Sequence, residues 1–113
     1  MKLNQETPMK TYLVHLSDQP DPRKTPQPKL ADFLSERQWI SVFDDIHNNT
    51  YGTIQSEESP EEILRGMQPF LFPLAHARLA ELHNPQTLPP WEARPIWIAD
   101  HTSQDTWISI PPA

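Results

Sequence analysis

Asp45 and His47 lie two apart at the end of the run Trp39-Ile-Ser-Val-Phe-Asp-Asp-Ile46. On a strand that spacing turns both side chains to the same side, a geometry able to supply two ligands to a metal ion. Asp44 joins them only where the hairpin twists. Two ligands fall short of a site, and a solvated strand end beside a turn accounts for the same residues. His76 and His83, seven apart on a helical reading, share a face but stand two turns from each other, too far to hold one ion. His15 falls inside an apolar strand, where a buried imidazole must find a hydrogen-bond partner; it serves either as a structural hydrogen-bonding residue or as part of a ligand pocket on the sheet face. Asp100-His101 reads as a hairpin corner. Nucleophilic catalysis has no support: the chain holds no Cys, no Gly-x-Ser-x-Gly elbow, and only 2 Gly, too few for a loop that cradles phosphate.

The elements that must position these residues fit one domain, because 113 residues suffice for a single core and not for two. Without Cys, stability rests on burial and not on disulfides. No apolar run approaches the roughly 20 residues that span a bilayer, and Met-Lys-Leu-Asn-Gln-Glu-Thr-Pro lacks the apolar stretch of a signal peptide, so a cytoplasmic protein is expected. A net charge of −6 argues against binding to nucleic-acid backbones and suits a basic protein partner. With 14 Pro against 2 Gly, the loops are stiff.

Residues 1–9 are polar and expected to form a flexible tail, with Met9 as good a start as Met1; residues 10–113 make the domain. Thr11 to Ser17 alternates as a central strand, with Leu13, His15 and Ser17 on one face and Tyr12, Val14 and Leu16 on the other. A proline-punctuated loop, Asp18 to Pro28, precedes a short helix, Lys29 to Gln38, whose stripe is Leu30, Phe33 and Leu34. Trp39 to Ile46 reads as a strand with Ile40, Val42 and Ile46 on one face. His47 to Thr50 is a turn, and Tyr51 to Ser56 returns as a strand in which Gly52 marks a bulge or a close backbone approach. Ser59-Pro-Glu-Glu62 combines an N-cap, a first-position proline and a capping box. Leu64, Met67, Leu71 and Leu74, then with a small drift Ala75, Leu79 and Leu82, recur at three- and four-residue steps. Pro69 and Pro73 divide this stretch into two helices, about Pro60 to Met67 and about Leu74 to His83.

After a stiff loop from Pro85 to Pro95, Pro95 to Asp100 and Thr106 to Ile110 read as a final hairpin. An odd loop, His101 to Ser103, sets Trp97 opposite Trp107 and collects Ile96, Ile98, Ile108 and Ile110 on the other face. Four isoleucines covering the core leave the two indoles on the outer sheet face, a composition enriched at protein interfaces; the competing arrangement has Leu88 to Trp91 covering that face and the indoles inside. Trp91 and Tyr12 complete the candidate interface. The order of elements is that of a ferredoxin-like split β-α-β domain with an extra C-terminal strand, an antiparallel sheet carrying helices on one face.

In this layout the chain resembles the small ferredoxin-like endoribonucleases associated with CRISPR systems and some toxin–antitoxin modules. The resemblance implies that Asp18, directly after the first strand, helps hold a divalent metal, Mg²⁺ or Mn²⁺, between two subunits, and that Thr106 to Ile110 joins the partner's sheet; Asp45 and His47 are further candidate ligands. It departs from that pattern in lacking a basic surface and in its long proline loop, and an Asp closing a strand is also ordinary turn chemistry. The leading expectation is a small acidic binding or regulatory protein that needs no cofactor and forms homodimers through Trp97 and Trp107, in an inhibitor, antitoxin or immunity-type role. A third reading is a small-ligand binder in a dimeric α/β barrel, with His15 and the sheet face as its pocket.

Overall fold

A computed structural model describes residues 8–19, 27–83, 87–102 and 107–109. The expected tail, up to residue 7, most of the proline loop, and Ser103, Thr106 and Ile110 of the expected last hairpin lie outside the described residues.

The fold is α+β: among the described residues, a four-stranded antiparallel sheet with three α-helices. Strand β1 (Lys10–Ser17) is central because five successive residues, Tyr12 to Leu16, are buried and so demand cover on both faces. It pairs antiparallel with β3 (Thr50–Ser56) on one side and with β4 (His76–Leu82) on the other. Strand β2 (Ile40–Asp44) adds to the outer side of β3, giving the order β2-β3-β1-β4. β1 and β2 therefore run parallel with β3 between them, and β3 and β4 run parallel with β1 between them. Helix α1 (Pro28–Ser35) makes the first crossover and α2 (Pro60–Met67) the second.

Helix α1 stops three residues before the expected end. The Gln38 amide donates to the Ser35 carbonyl and the Trp39 amide to the Leu34 carbonyl, with Gln38 at φ 61, the paired bonds of a Schellman stop built without glycine. Helix α2 starts on the capping box read from the sequence: the Glu62 amide donates to Ser59 Oγ and the Ser59 amide to the Glu62 carboxylate.

Two expected elements are replaced. Leu74 to His83 is not a helix but contributes β4. Its leucines fit a helical step, yet a stretch this short makes a poor isolated helix, whereas as a strand the seven residues of β4 satisfy the free edge of β1 and bury Leu79 and Leu82 on opposite faces. Pro95 to Asp100 is not a strand but most of α3 (Arg94–His101). Pro95 occupies its first turn, where a missing N–H costs nothing, and the neighbours Trp97 and Ile98 are buried together, which strand alternation forbids. The final hairpin and its Trp97–Trp107 pairing are thereby excluded. Ile108 instead bridges Leu79 on the outer edge of β4, each amide donating to the other's carbonyl at 2.9 and 2.7 Å.

The core has two parts. Tyr12, Val14 and Leu16 pack with Ile54, Leu79, Trp39 and the buried faces of α1 and α2; Leu13 packs on the opposite face with Val42, Leu82 and the α3 residues Trp97 and Ile98. Helical residues thus cover both faces of the sheet and not one. A bulge between Ser41 and Phe43 breaks the expected alternation of β2: Val42 is buried, while Ile40 and Ile46 are exposed. No helix among the described residues is long and apolar enough to cross a membrane.

Candidate functional site

Register places Phe43, Tyr51, His15 and Arg78 in one row across all four strands, Phe43 opposite Tyr51, Tyr51 opposite His15, and His15 opposite Arg78. Directly opposed residues project from the same face of a sheet, here the face that carries Leu13. Arg78 Nε–H donates to His15 Nδ1 at 2.8 Å. Because a guanidinium only donates, Nδ1 is the unprotonated ring nitrogen and Nε2 carries the hydrogen. That hydrogen is donated to Asn49 Oδ1 at 3.1 Å, and Asn49 Nδ2–H donates in turn to Asp45 Oδ2 at 3.1 Å. The other Asp45 oxygen accepts the amides of His47 and Asn49. One directed chain therefore runs from Arg78 through His15 and Asn49 to Asp45.

Aromatic rings bracket the chain. The His15 ring stacks on Tyr51 with centroids 4.4 Å apart and planes 5° from parallel. The Trp107 ring lies 5.9 Å from that of His15 and under the Arg78 guanidinium, whose Cζ is 4.2 Å from its centroid. The Ile108 bridge to Leu79 is what brings Trp107 there.

The electrostatics follow from this geometry. Burial lowers the His15 pKa; the Asn49 hydrogen bond and Asp45 oppose that shift while Arg78 reinforces it, and the balance stays below the ordinary value. Burial raises the Tyr51 pKa, against Arg78 and with Asp45. For Asp45, burial pushes upward, but hydrogen bonds from the Asn49 and His47 amides and from the Asn49 side chain together hold the carboxyl below its usual range.

A depressed histidine makes stability pH-dependent. Below the unfolded-state value of about 6.5 the unfolded chain takes a proton at His15 that the folded chain refuses, so this contribution is complete above that value and declines as pH falls toward the lower folded one. The urea midpoint is expected to drop between about pH 7.5 and about pH 5.5, and to drop less in His15→Gln. Equal losses in both proteins would remove His15 from the account. The depressed carboxyls of Asp45 and Glu58 act in a separate, more acidic window.

A second arrangement lies at the end of the sheet where β1 finishes. Gln19 is fully buried there and ties three segments together. Its amide donates to the Asn48 carbonyl in the β2–β3 turn, its carbonyl accepts from Thr50 Oγ1, and its side-chain oxygen accepts the Phe72 amide at 2.7 Å. Its side-chain NH₂ donates to Gln27 Oε1. Around this tie the turn and the loop before β4 present Ile46, Leu74 and Phe72 at 91%, 81% and 42% exposure. Asp18, His47, Asn48 and His76 form a polar surround, all exposed, with Asp18 and Asn48 at φ 57 and 61.

The residues singled out from sequence separate. Trp97 is only 9% exposed, on the face of α3 that packs against the sheet, and Tyr12 is buried beneath the other two helices with its hydroxyl donating to the Glu58 carbonyl. Trp107 is half-buried over Arg78; Trp91 is exposed against Phe43, ring centroids 4.7 Å apart. Asp18 sits on the surface after β1, and Asp45 is engaged in its own turn while His47 points outward. His76 opens β4 and His83 follows its last residue, so they stand at opposite ends of that strand. Among the described residues no group of three or more His, Cys, Asp or Glu comes together to hold a metal ion. Sequence reasoning passed over Gln19, Asn49, Phe72 and Arg78 and placed Ile46 and Leu74 on buried stripes. For His15 the signal was its place in an apolar strand; its partners, 34 and 63 residues away, left none. Comparison of the chain with known family models, with curated proteins and with solved structures finds no match.

Proposed function

We propose that this chain is a small binding protein of ferredoxin-like architecture that works through protein–protein association, and that it associates with a second copy of itself at the loop end of the sheet. The interleaved crossovers and the order β2-β3-β1-β4 support the architecture. The exposure of Ile46, Phe72 and Leu74 carries the functional reading. Three large apolar side chains at one end of a sheet, rimmed by polar groups and held by a buried glutamine, have the make-up of an interface centre. In a two-fold contact the same patch meets itself. The expected interface thus moves from Trp97 and Trp107 to this rim.

Two chains of net charge −6 repel each other, and salt screens that repulsion while leaving apolar burial in place. Light scattering after size exclusion is therefore expected to show a mass that rises toward the dimer at high micromolar concentration and rises further with added salt. The variant Ile46→Ser/Leu74→Ser is expected to remain monomeric under the same conditions. A strict monomer in the parent chain, or a double variant that associates equally well, contradicts the proposal.

A further inference from the structure

Arg78 is held in place yet has no anion beside it among the described residues. Its Nε–H is committed to His15, and Trp107 lies against its flat face. Its terminal nitrogens carry four N–H donors, two of them on the edge that matches a carboxylate, and none has an acceptor among the described residues. Among the described residues the other two partly buried arginines differ. Arg37 makes a two-point pair with Glu58, at 2.8 and 3.2 Å, and Arg94 donates to the carbonyls of Pro89 and Val42. In a chain with 15 acidic against 9 basic side chains, Arg94 also lacks a carboxylate in ion-pair contact among the described residues, but its donors go to carbonyls; of these three arginines Arg78 alone leaves both terminal nitrogens without an acceptor there. It is fixed by groups that cannot neutralise it.

The geometry points to a ligand site on the sheet face, in which the terminal edge of Arg78 takes a small monocarboxylate whose apolar remainder rests against Trp107. This inference is independent of the association surface. A planar carboxylate matches the guanidinium fork with two parallel hydrogen bonds. Pre-positioning by His15 and Trp107 reduces the side-chain ordering that binding would otherwise require. The chain His15–Asn49–Asp45 selects the charge of the ligand. It ends on the Asp45 carboxyl, and this acidic group together with the net charge of −6 disfavours a doubly charged anion over a singly charged one. The indole face favours an aromatic acid over acetate.

The test is a titration followed by ¹H–¹⁵N correlation spectra, reading the Trp107 indole N–H and the Arg78 Nε–H, with benzoate, acetate or inorganic phosphate added at constant ionic strength. Saturable shifts at these two groups are expected with benzoate at millimolar concentration, weaker ones with acetate, and the weakest with phosphate. Arg78→Lys keeps the charge but loses the fork, and is expected to weaken benzoate binding by about tenfold; Arg78→Gln is expected to abolish it. Should Arg78→Gln not fold, the lysine variant alone decides. Shifts that do not saturate, or an unchanged response in Arg78→Lys, overturn the site; tighter binding of phosphate than of benzoate overturns its assignment to a monocarboxylate.

Discussion

Replacing Gly52 with alanine is expected to destabilise the protein by about 3 kcal/mol, although it adds a single methyl group. Gly52 lies in β3, where an added Cβ would fall well inside van der Waals contact with the six-membered ring of Trp39, at Cη2, Cζ2 and Cζ3. Its φ is not positive, so the penalty is steric and not conformational. Trp39 cannot yield easily. It is buried in the cluster beneath α1 and α2, its backbone closes the α1 stop, and its indole N–H is buried with no acceptor among the described residues, so packing alone holds the ring. Overpacking of this kind costs about 1–3 kcal/mol when neighbours can shift and more when they cannot. Against the roughly 5–15 kcal/mol that hold a domain folded, that is a large fraction. Urea unfolding should show the loss in Gly52→Ala, and a double-mutant cycle should locate it: with Trp39→Leu already present, the same alanine is expected to cost under about 1 kcal/mol. Equal costs in the two backgrounds would show that the ring is not what Gly52 makes room for.

The second large effect belongs to Gln19. Its side chain is buried with both ends in use, accepting the Phe72 amide and donating to Gln27. Gln19→Met keeps the length of the side chain and removes both bonds. A buried donor left without an acceptor costs about 1–3 kcal/mol, and here the Phe72 amide loses a part-buried bond that holds the loop before β4, while the buried Gln19 side chain loses both its partners. A loss of about 2–3 kcal/mol in urea unfolding is expected. The same variant is expected to weaken self-association at least about fivefold, because an untethered loop pays an ordering cost on binding, while Ile46, Phe72 and Leu74 keep their side chains. Unchanged stability together with unchanged association would separate Gln19 from the rim it is taken to organise.

How much of this was legible beforehand depends on whether the determining contacts were local. The start of α2 was readable because the capping box spans four residues, and Gly52 was readable as a close backbone approach because glycine within a strand has few other uses. β1 announced its central place through apolar residues on both faces. The segment of β4 did not: His-Ala-Arg-Leu-Ala-Glu-Leu is rich in helix formers and lacks β-branched residues, and it became a strand because β1 had an unpaired edge. Arg94 to His101 went the other way, with isoleucine and tryptophan suggesting a strand where Pro95 opens a helix. That exchange also moved the candidate site. Once Trp97 is buried on the inner side of α3, the outward pair of indoles no longer exists, and among the exposed apolar residues Ile46, Phe72 and Leu74 lie on the loops at one end of the sheet. Arg78 was invisible as a partner of His15 for the same reason: on a helix it would not have faced the sheet.

In the proposed dimer two copies meet at the loop end of the sheet, and at neither α3 nor the segment around Trp107. Backbone amide shifts followed through a dilution series test it residue by residue. Concentration-dependent shifts should concentrate at Ile46, His47, Phe72, Leu74 and Asp18 and leave Ile96, Trp97 and Trp107 unmoved. Shifts centred on α3 or Trp107, or none anywhere up to millimolar concentration, would contradict it.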